Sequence, residues 1–117
     1  MNYMLLIYTE EARMEQELKA PEAKRGCDGL AERLKDAGKY ISAGILQPIS
    51  TATSVQVRSG KRFVTDGPFA ETREQLAGFL MVEARDLDEA IDIATQHPVV
   101  KYGTVEIRPV FEIPFLD

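Results

Sequence analysis

Residues 64–84 read VTDGPFAETREQLAGFLMVEA. One strand-like run ends, a polar link rich in turn formers follows, and a second strand-like run begins. In that second run Phe79 and Met81 alternate with Gly78, Leu80 and Val82, so both of its faces are apolar. The N-terminal run NYMLLIY behaves in the same way. Tyr3, Leu5 and Ile7 alternate with Met4, Leu6 and Tyr8. A sheet with helices on one side alone reads apolar on the covered face and polar on the other. These two runs belong at the middle of a sheet that has apolar cover on both sides.

Helical spacing links the strands. Pro21 suits the first turn of a main helix, whose stripe is Ala23, Cys27, Leu30, Ala31, Leu34 and Ala37. Gly38 supplies a left-handed cap. Residues 40–45 form the next strand and QPISTATS a loop. Residues 54–58 and 62–65 flank Ser59-Gly60-Lys61, a hairpin signal. Asp86 and Glu89 have capping-box spacing ahead of a second helix with the stripe Leu87, Ala90, Ile91 and Ala94, closed by His97-Pro98. Residues 104–110 form the last strand. The order is strand, helix, strand, hairpin, strand, helix, strand. Without the hairpin it is βαββαβ, an α+β ferredoxin-like plan with both helices on one face of an antiparallel sheet. No helix remains to cover the second face, so a second copy is the expected cover, over Leu6, Leu80 and Val82. Leaving six such side chains uncovered would forfeit about 1.5–3 kcal/mol each.

Composition bounds the function. The 117 residues form one domain, 44% hydrophobic and 28% charged, with a formal charge of −5 and a pI near 4.9. An acidic surface without a basic stripe repels phosphate backbones, which argues against direct nucleic-acid binding. No apolar run approaches a membrane span, and the N-terminal residues read as a strand, so a cytoplasmic location is the expectation. One Cys and one His cannot build a usual zinc site. No cofactor motif is present, and none is expected.

Few groups remain to carry chemistry. Asp66-Gly67-Pro68-Phe69 reads as a turn, or as a carboxylate presented at a strand end. Thr72 and Gln75 have capping-box spacing, which predicts a short helical turn but leaves Glu71 unexplained. Held near Asp66, Glu71 would complete a carboxylate pair with one raised pKa, and Arg73 would stand at the same rim as a ligand-binding base. His97 is either a helix cap or the proton carrier of a site with Asp66 and Glu71. Cys27 falls on the apolar stripe and reads as core. Arg108 shares the helix-free face with Glu106, as a solvated pair or as an anion anchor in a dimer cavity.

With these residues in view, the chain resembles the YCII-related family, in its DGPF-motif subgroup. The resemblance is strongest over VTDGPFAETREQLAGFLMVEARDLDEAIDIA and continues in GTVEIRPV, ISAGILQP and ATSVQVRSGKRFVTDGPF. It implies a ferredoxin-like subunit paired through its sheet into a dimeric α/β barrel. It also implies a site near the sheet–helix cleft, built in relatives from a His and an Asp. Here Cys27 falls where relatives carry that His, and His97-Pro98-Val99 falls where they carry Asp-Pro-Tyr. The pair does not carry over, and a site must be rebuilt from Asp66, Glu71 and His97. Subgroup members often occur near, or fused to, extracytoplasmic-function sigma factors, which implies a stress-linked bacterial context. Two functions stay open: a cofactor-independent acid/base enzyme on a small organic molecule, or a non-catalytic ligand-sensing or partner-binding module.

Overall fold

The computed structural model describes residues 1–19 and 27–113. In chain order the elements are β1 (Asn2–Thr9), α1 (Glu11–Lys19), α2 (Cys27–Asp36), β2 (Tyr40–Ile45), β3 (Thr53–Arg58), β4 (Lys61–Asp66), β5 (Gln75–Glu83), α3 (Leu87–Thr95) and β6 (Thr104–Pro109). Short 3-10 turns occupy Ile49–Thr51 and Pro98–Lys101. Four strands form one antiparallel sheet in the order β2-β5-β1-β6, and among the described residues β3 pairs only with β4. The fold is α+β and ferredoxin-like, with the hairpin inserted between β2 and β5. Among the described residues the first crossover holds two helical segments, α1 and α2, beside the one main helix expected. The assignments made for Pro21, Ala23 and the Cys27 side chain lie outside the described residues.

Register decides which face of the sheet is which. Leu5 of β1 stands opposite Leu80 of β5, and Tyr3 opposite Val82. These four pack against Leu30 and Leu34 of α2 and Ala90, Ile93 and Ala94 of α3. Leu80 and Val82 are therefore core residues on the helix side, contrary to the expectation that they lacked cover. Alternation divides a strand into two sets but does not say which set meets the helices; a one-residue change of phase exchanges them. The set away from the helices is Met4, Leu6, Tyr8, Phe79 and Met81, each half-buried by its neighbours.

The helix ends follow local rules. Gly38 takes a φ of +72°, and the Lys39 N–H donates to the Leu34 carbonyl at 2.8 Å, closing the end of α2. The Asp86 carboxylate accepts from the Glu89 N–H at 2.9 Å. Glu89 reaches back to the Arg85 N–H instead of that of Asp86, so the capping box closes one residue early. α3 buries Ala90, Ile93 and Ala94, while Leu87 and Ile91 stay exposed. The buried stripe is centred between i, i+3 and i+4 from Ala90, which turns the two larger residues of the expected stripe outward.

Two connections differ from expectation. The hairpin turns on Ser59 and Gly60 alone, at φ values of +52° and +75°, and Lys61 already belongs to β4. Residues 71–74 form no helical turn. The Gln75 side chain donates to the Thr72 carbonyl at 2.7 Å and the Thr72 hydroxyl donates to the Glu74 carbonyl. Such local side-chain bonds compete with a helix for the same backbone groups.

Candidate functional site

Among the described residues, two cavities open at the edges of the sheet under the helices. One, of about 310 Å³, lies under α1 and is lined by Thr9, Glu11, Met14, Glu15, Leu18, Leu46 and Gln75, among others. Its acids are already engaged. Glu11 accepts from the Ile49 N–H at 2.6 Å, and Glu15 pairs with Lys19 at 2.8 Å.

The second cavity, of about 280 Å³, lies between α2 and strands β1, β2 and β5. Ile7, Leu30, Ala31, Ala43, Ile45, Phe79 and Leu80 line it, and among the described residues His97 is the one titratable side chain in its wall. Two strand glycines shape this end of the sheet. A Cβ on Gly44 would stand 2.8 Å from the Phe79 ring, and one on Gly78 would stand 2.6 Å from the Gly44 carbonyl oxygen. Glycine here lets β2 and β5 approach and lets Phe79 lie across Gly44.

His97 is positioned by the turn it opens. α3 ends at Thr95, and Pro98 begins a 3-10 turn that His97 caps. His97 Nδ1 accepts from the Val99 N–H at 3.1 Å. A ring nitrogen that accepts carries no proton, so in the neutral ring the proton sits on Nε2. Burial pushes the His97 pKa below its ordinary value, which keeps the ring neutral at pH 7. Nε2 has no hydrogen-bond partner among the described residues, and it is not sealed from solvent. The cavity thus combines apolar walls with one ring whose remaining polar group is a fixed N–H donor. His97 does act as a cap, but by accepting an N–H at the start of a turn instead of donating to the carbonyls at the end of α3.

The remaining sequence candidates lie elsewhere. Asp66 ends β4 opposite Thr53, with an exposed side chain, and Glu71 is exposed in the link between β4 and β5. Among the described residues no hydrogen bond or ion pair joins Asp66, Glu71 and His97. Arg73 pairs with Glu10, whose carboxylate raises its pKa, and Glu74 accepts from the Thr104 hydroxyl at 2.9 Å. Arg73 and Glu74 therefore tie the approach to β5 to the end of β1 and to the start of β6, two strands away. Arg108 sits on the helix-free face, 3.5 Å from Glu106. Tyr8 shares that face, its pKa raised by desolvation first and then by the Glu106 carboxylate. Arg108 and His97 thus serve opposite sides of the sheet.

The cavity walls went unread in the sequence, although Gly44 and Gly78, glycines inside strands, were the available signal. Among the described residues no group of three His, Cys, Asp or Glu side chains could hold a metal ion. No helix there is long and apolar enough to cross a membrane.

Residues 1–114 match the family model of the YCII-related domain. An uncharacterised protein of Rhizobium meliloti (strain 1021) is 33% identical over 113 residues, covering 93% of this chain and 91% of that protein. The chain belongs to the YCII-related domain family.

Proposed function

We propose that this domain binds a small, mostly apolar molecule in the His97 cavity through one hydrogen-bond acceptor on the ligand. One observation carries the reading: an imidazole fixed as a neutral Nε2–H donor in the wall of an apolar cavity of about 280 Å³. Binding sites commonly pair apolar walls with a few placed polar groups. A ketone, an ester or a small carboxylic acid has the required acceptor. Ligand-observed NMR with a panel of such compounds tests the proposal. Binders should weaken at least about tenfold in His97→Asn, which removes the Nε2–H. Ala43→Phe, which adds a ring to the cavity wall, should block them. A panel without binders at millimolar concentration, or binders indifferent to both variants, would refute it.

The second reading is a cofactor-independent acid/base enzyme. The observation that favours it is the same neutral imidazole, since a ring N–H can polarise a substrate carbonyl. The base would then be a carboxylate, Asp66 or Glu71, with Arg73 holding an anionic group; Arg108, on the opposite side of the sheet, is left out of this site. Solvent-deuterium exchange into a bound ketone, abolished by Asp66→Asn or Glu71→Gln, would favour the enzyme; exchange unchanged in both would leave the binding module.

We also propose that a second copy covers Met4, Leu6, Tyr8, Phe79 and Met81, giving a homodimer through the helix-free face. A stable interface of this kind buries at least about 1,200 Å². Light scattering should show a dimer at micromolar concentration, and Met81→Asp should convert it to a monomer. A monomeric wild type would refute this assembly.

A further inference from the structure

The cavity under α1 shares no lining residue with the His97 cavity, and its wall has the opposite polarity. Met14, Leu46, Pro48 and Leu76 supply apolar surface there, and Leu46 and Leu76 stay exposed.

Its polar floor is set by a break in the ladder. Ile7 pairs with Gly78, but Tyr8 pairs with Leu76 and Thr9 with Gln75, so Ala77 has no partner in β1. An unbroken ladder would set Leu76 opposite Thr9. The bulge instead brings Gln75 to the side of the sheet that carries Leu5, Ile7 and Thr9. Thr9 and Gln75 are both buried, Gln75 with 9% of its surface exposed. The Gln75 amide donates to the Thr72 carbonyl at 2.7 Å, which fixes its nitrogen and so identifies its oxygen. That oxygen has no hydrogen-bond partner among the described residues, and it is not sealed off. Gln75 lines the cavity, so its acceptor opens there.

Two carboxylates one helical turn apart on α1, Glu11 and Glu15, face the same cavity. Glu11 uses one oxygen to accept from the Ile49 N–H and has no ion pair among the described residues. Glu15 uses one oxygen for Lys19 at the exposed rim. Each carboxylate keeps further acceptor positions. Among the described residues no Lys, Arg or His lines the cavity. The wall therefore offers apolar area, negative charge and acceptors.

We infer that this cavity binds a small primary ammonium ion with an apolar body, its N–H groups donating to Glu11, Glu15 and Gln75. An ammonium group has three donors and no acceptor, the complement of this wall. A bare metal ion would gain nothing from the leucines, and an alcohol would leave the Glu11 charge without a counter-ion. A volume of about 310 Å³ lies at the small end of ligand sites and suits one short alkyl chain or one ring. The chain's net charge of −5 also draws cations towards it. The His97 proposal is independent of this one, because its ligand supplies an acceptor to a different cavity.

NMR titration of the labelled protein with hexylammonium, hexan-1-ol and hexanoate, at pH 7 and low salt, tests the inference. Hexylammonium should shift the signals of Thr9, Met14, Leu46 and Gln75 and leave those of Leu30 and His97 in place. It should bind at least about tenfold more tightly than the alcohol, the gain of a charge-assisted over a neutral hydrogen bond, and hexanoate should not bind. Glu11→Gln keeps an oxygen for the Ile49 N–H and removes the charge, so it should lose that tenfold, with circular dichroism confirming the fold. Glu15→Gln should weaken binding about two- to fivefold, the scale of an exposed ion pair. Asp88→Asn, on the outward side of α3, should leave it unchanged and so exclude general attraction to an acidic surface. Equal affinity for amine and alcohol would overturn the inference, as would an unchanged affinity in Glu11→Gln. Shifts confined to the His97 cavity, or no binding at millimolar hexylammonium, would overturn it too.

Discussion

Two substitutions at His97 separate the two roles of one ring. Asn is among the best N-capping residues, and its side-chain oxygen can replace Nδ1 as the acceptor for Val99, while the Nε2–H is lost. His97→Ala removes both. Val99 is buried, so its N–H would be left without the partner it has at 3.1 Å. Losing a cap costs about 0.5–2 kcal/mol, and an unpaired buried donor costs about 1–3 kcal/mol. These describe the same lost bond, so the expected total is about 1–3 kcal/mol. For a chain of this length each kcal/mol lowers Tm by roughly 4 °C. His97→Asn should stay within about 1 kcal/mol of wild type, the scale of an exchange between capping groups. The two proteins should also differ in pH dependence. Burial lowers the His97 pKa in the folded state, so the unfolded chain takes up the proton first. The stability His97 contributes is complete above the ordinary imidazole value of about 6.5 and is lost as pH falls through the folded value. Protonation also sets an N–H against the Val99 N–H. The chain has no Trp, so urea unfolding followed by circular dichroism between pH 5 and 8 is a suitable assay. Wild type should lose stability relative to His97→Asn on acidification. A gap that is flat across this range, or an Asn variant as unstable as the Ala variant, would refute the reasoning.

Gly78→Ala would drive a methyl group towards the Gly44 carbonyl; overpacking of this kind costs about 1–3 kcal/mol, and a melting curve unchanged within 1 °C would count against the close approach of β2 and β5. Leu5→Ala, at a fully buried position between α2 and α3, should cost about 2–5 kcal/mol by urea unfolding. Ser59→Asn suits a residue at φ +52° and should slow amide exchange in the hairpin without moving the global midpoint. Glu89 is held below the usual carboxylate range by the Lys39 hydrogen bond first and the Arg85 N–H second. Its contribution is present above pH 4.5 and lost as pH falls further, so Glu89→Gln should flatten the acid limb of the stability profile.

The sequence carried the topology because its periodicities are strong. The two-sided strands at residues 2–8 and 77–84 placed themselves at the centre of the sheet, where β1 and β5 are found. Gly38, Asp86 and the Ser59-Gly60 turn marked their boundaries through local chemistry alone. Facing was not legible, because the phase of β5 depends on its partner and not on its own residues, and Leu80 and Val82 were assigned to the wrong side. The site was half legible. His97 stood out as the only imidazole, but its tautomer depends on a bond to Val99 that spacing does not reveal. The link at residues 66–75 drew attention through its charges, yet Arg73 and Glu74 direct theirs to Glu10 and Thr104. Charged straps and charged sites look alike until the partner is known.

The position of β1 has a consequence for how this chain folds. The first strand made lies between the last two, β5 and β6. Its apolar residues therefore wait, as the chain is synthesised, for partners that begin at Gln75 and end at Pro109. During that interval only local pieces can form: the helices of the first crossover and the β3–β4 hairpin, which closes without reference to anything else. Such a topology places its loop-closure cost early and its reward late. A stall in translation before residue 75 would leave NYMLLIY as an unpaired apolar strand, the part of this protein that most needs a chaperone.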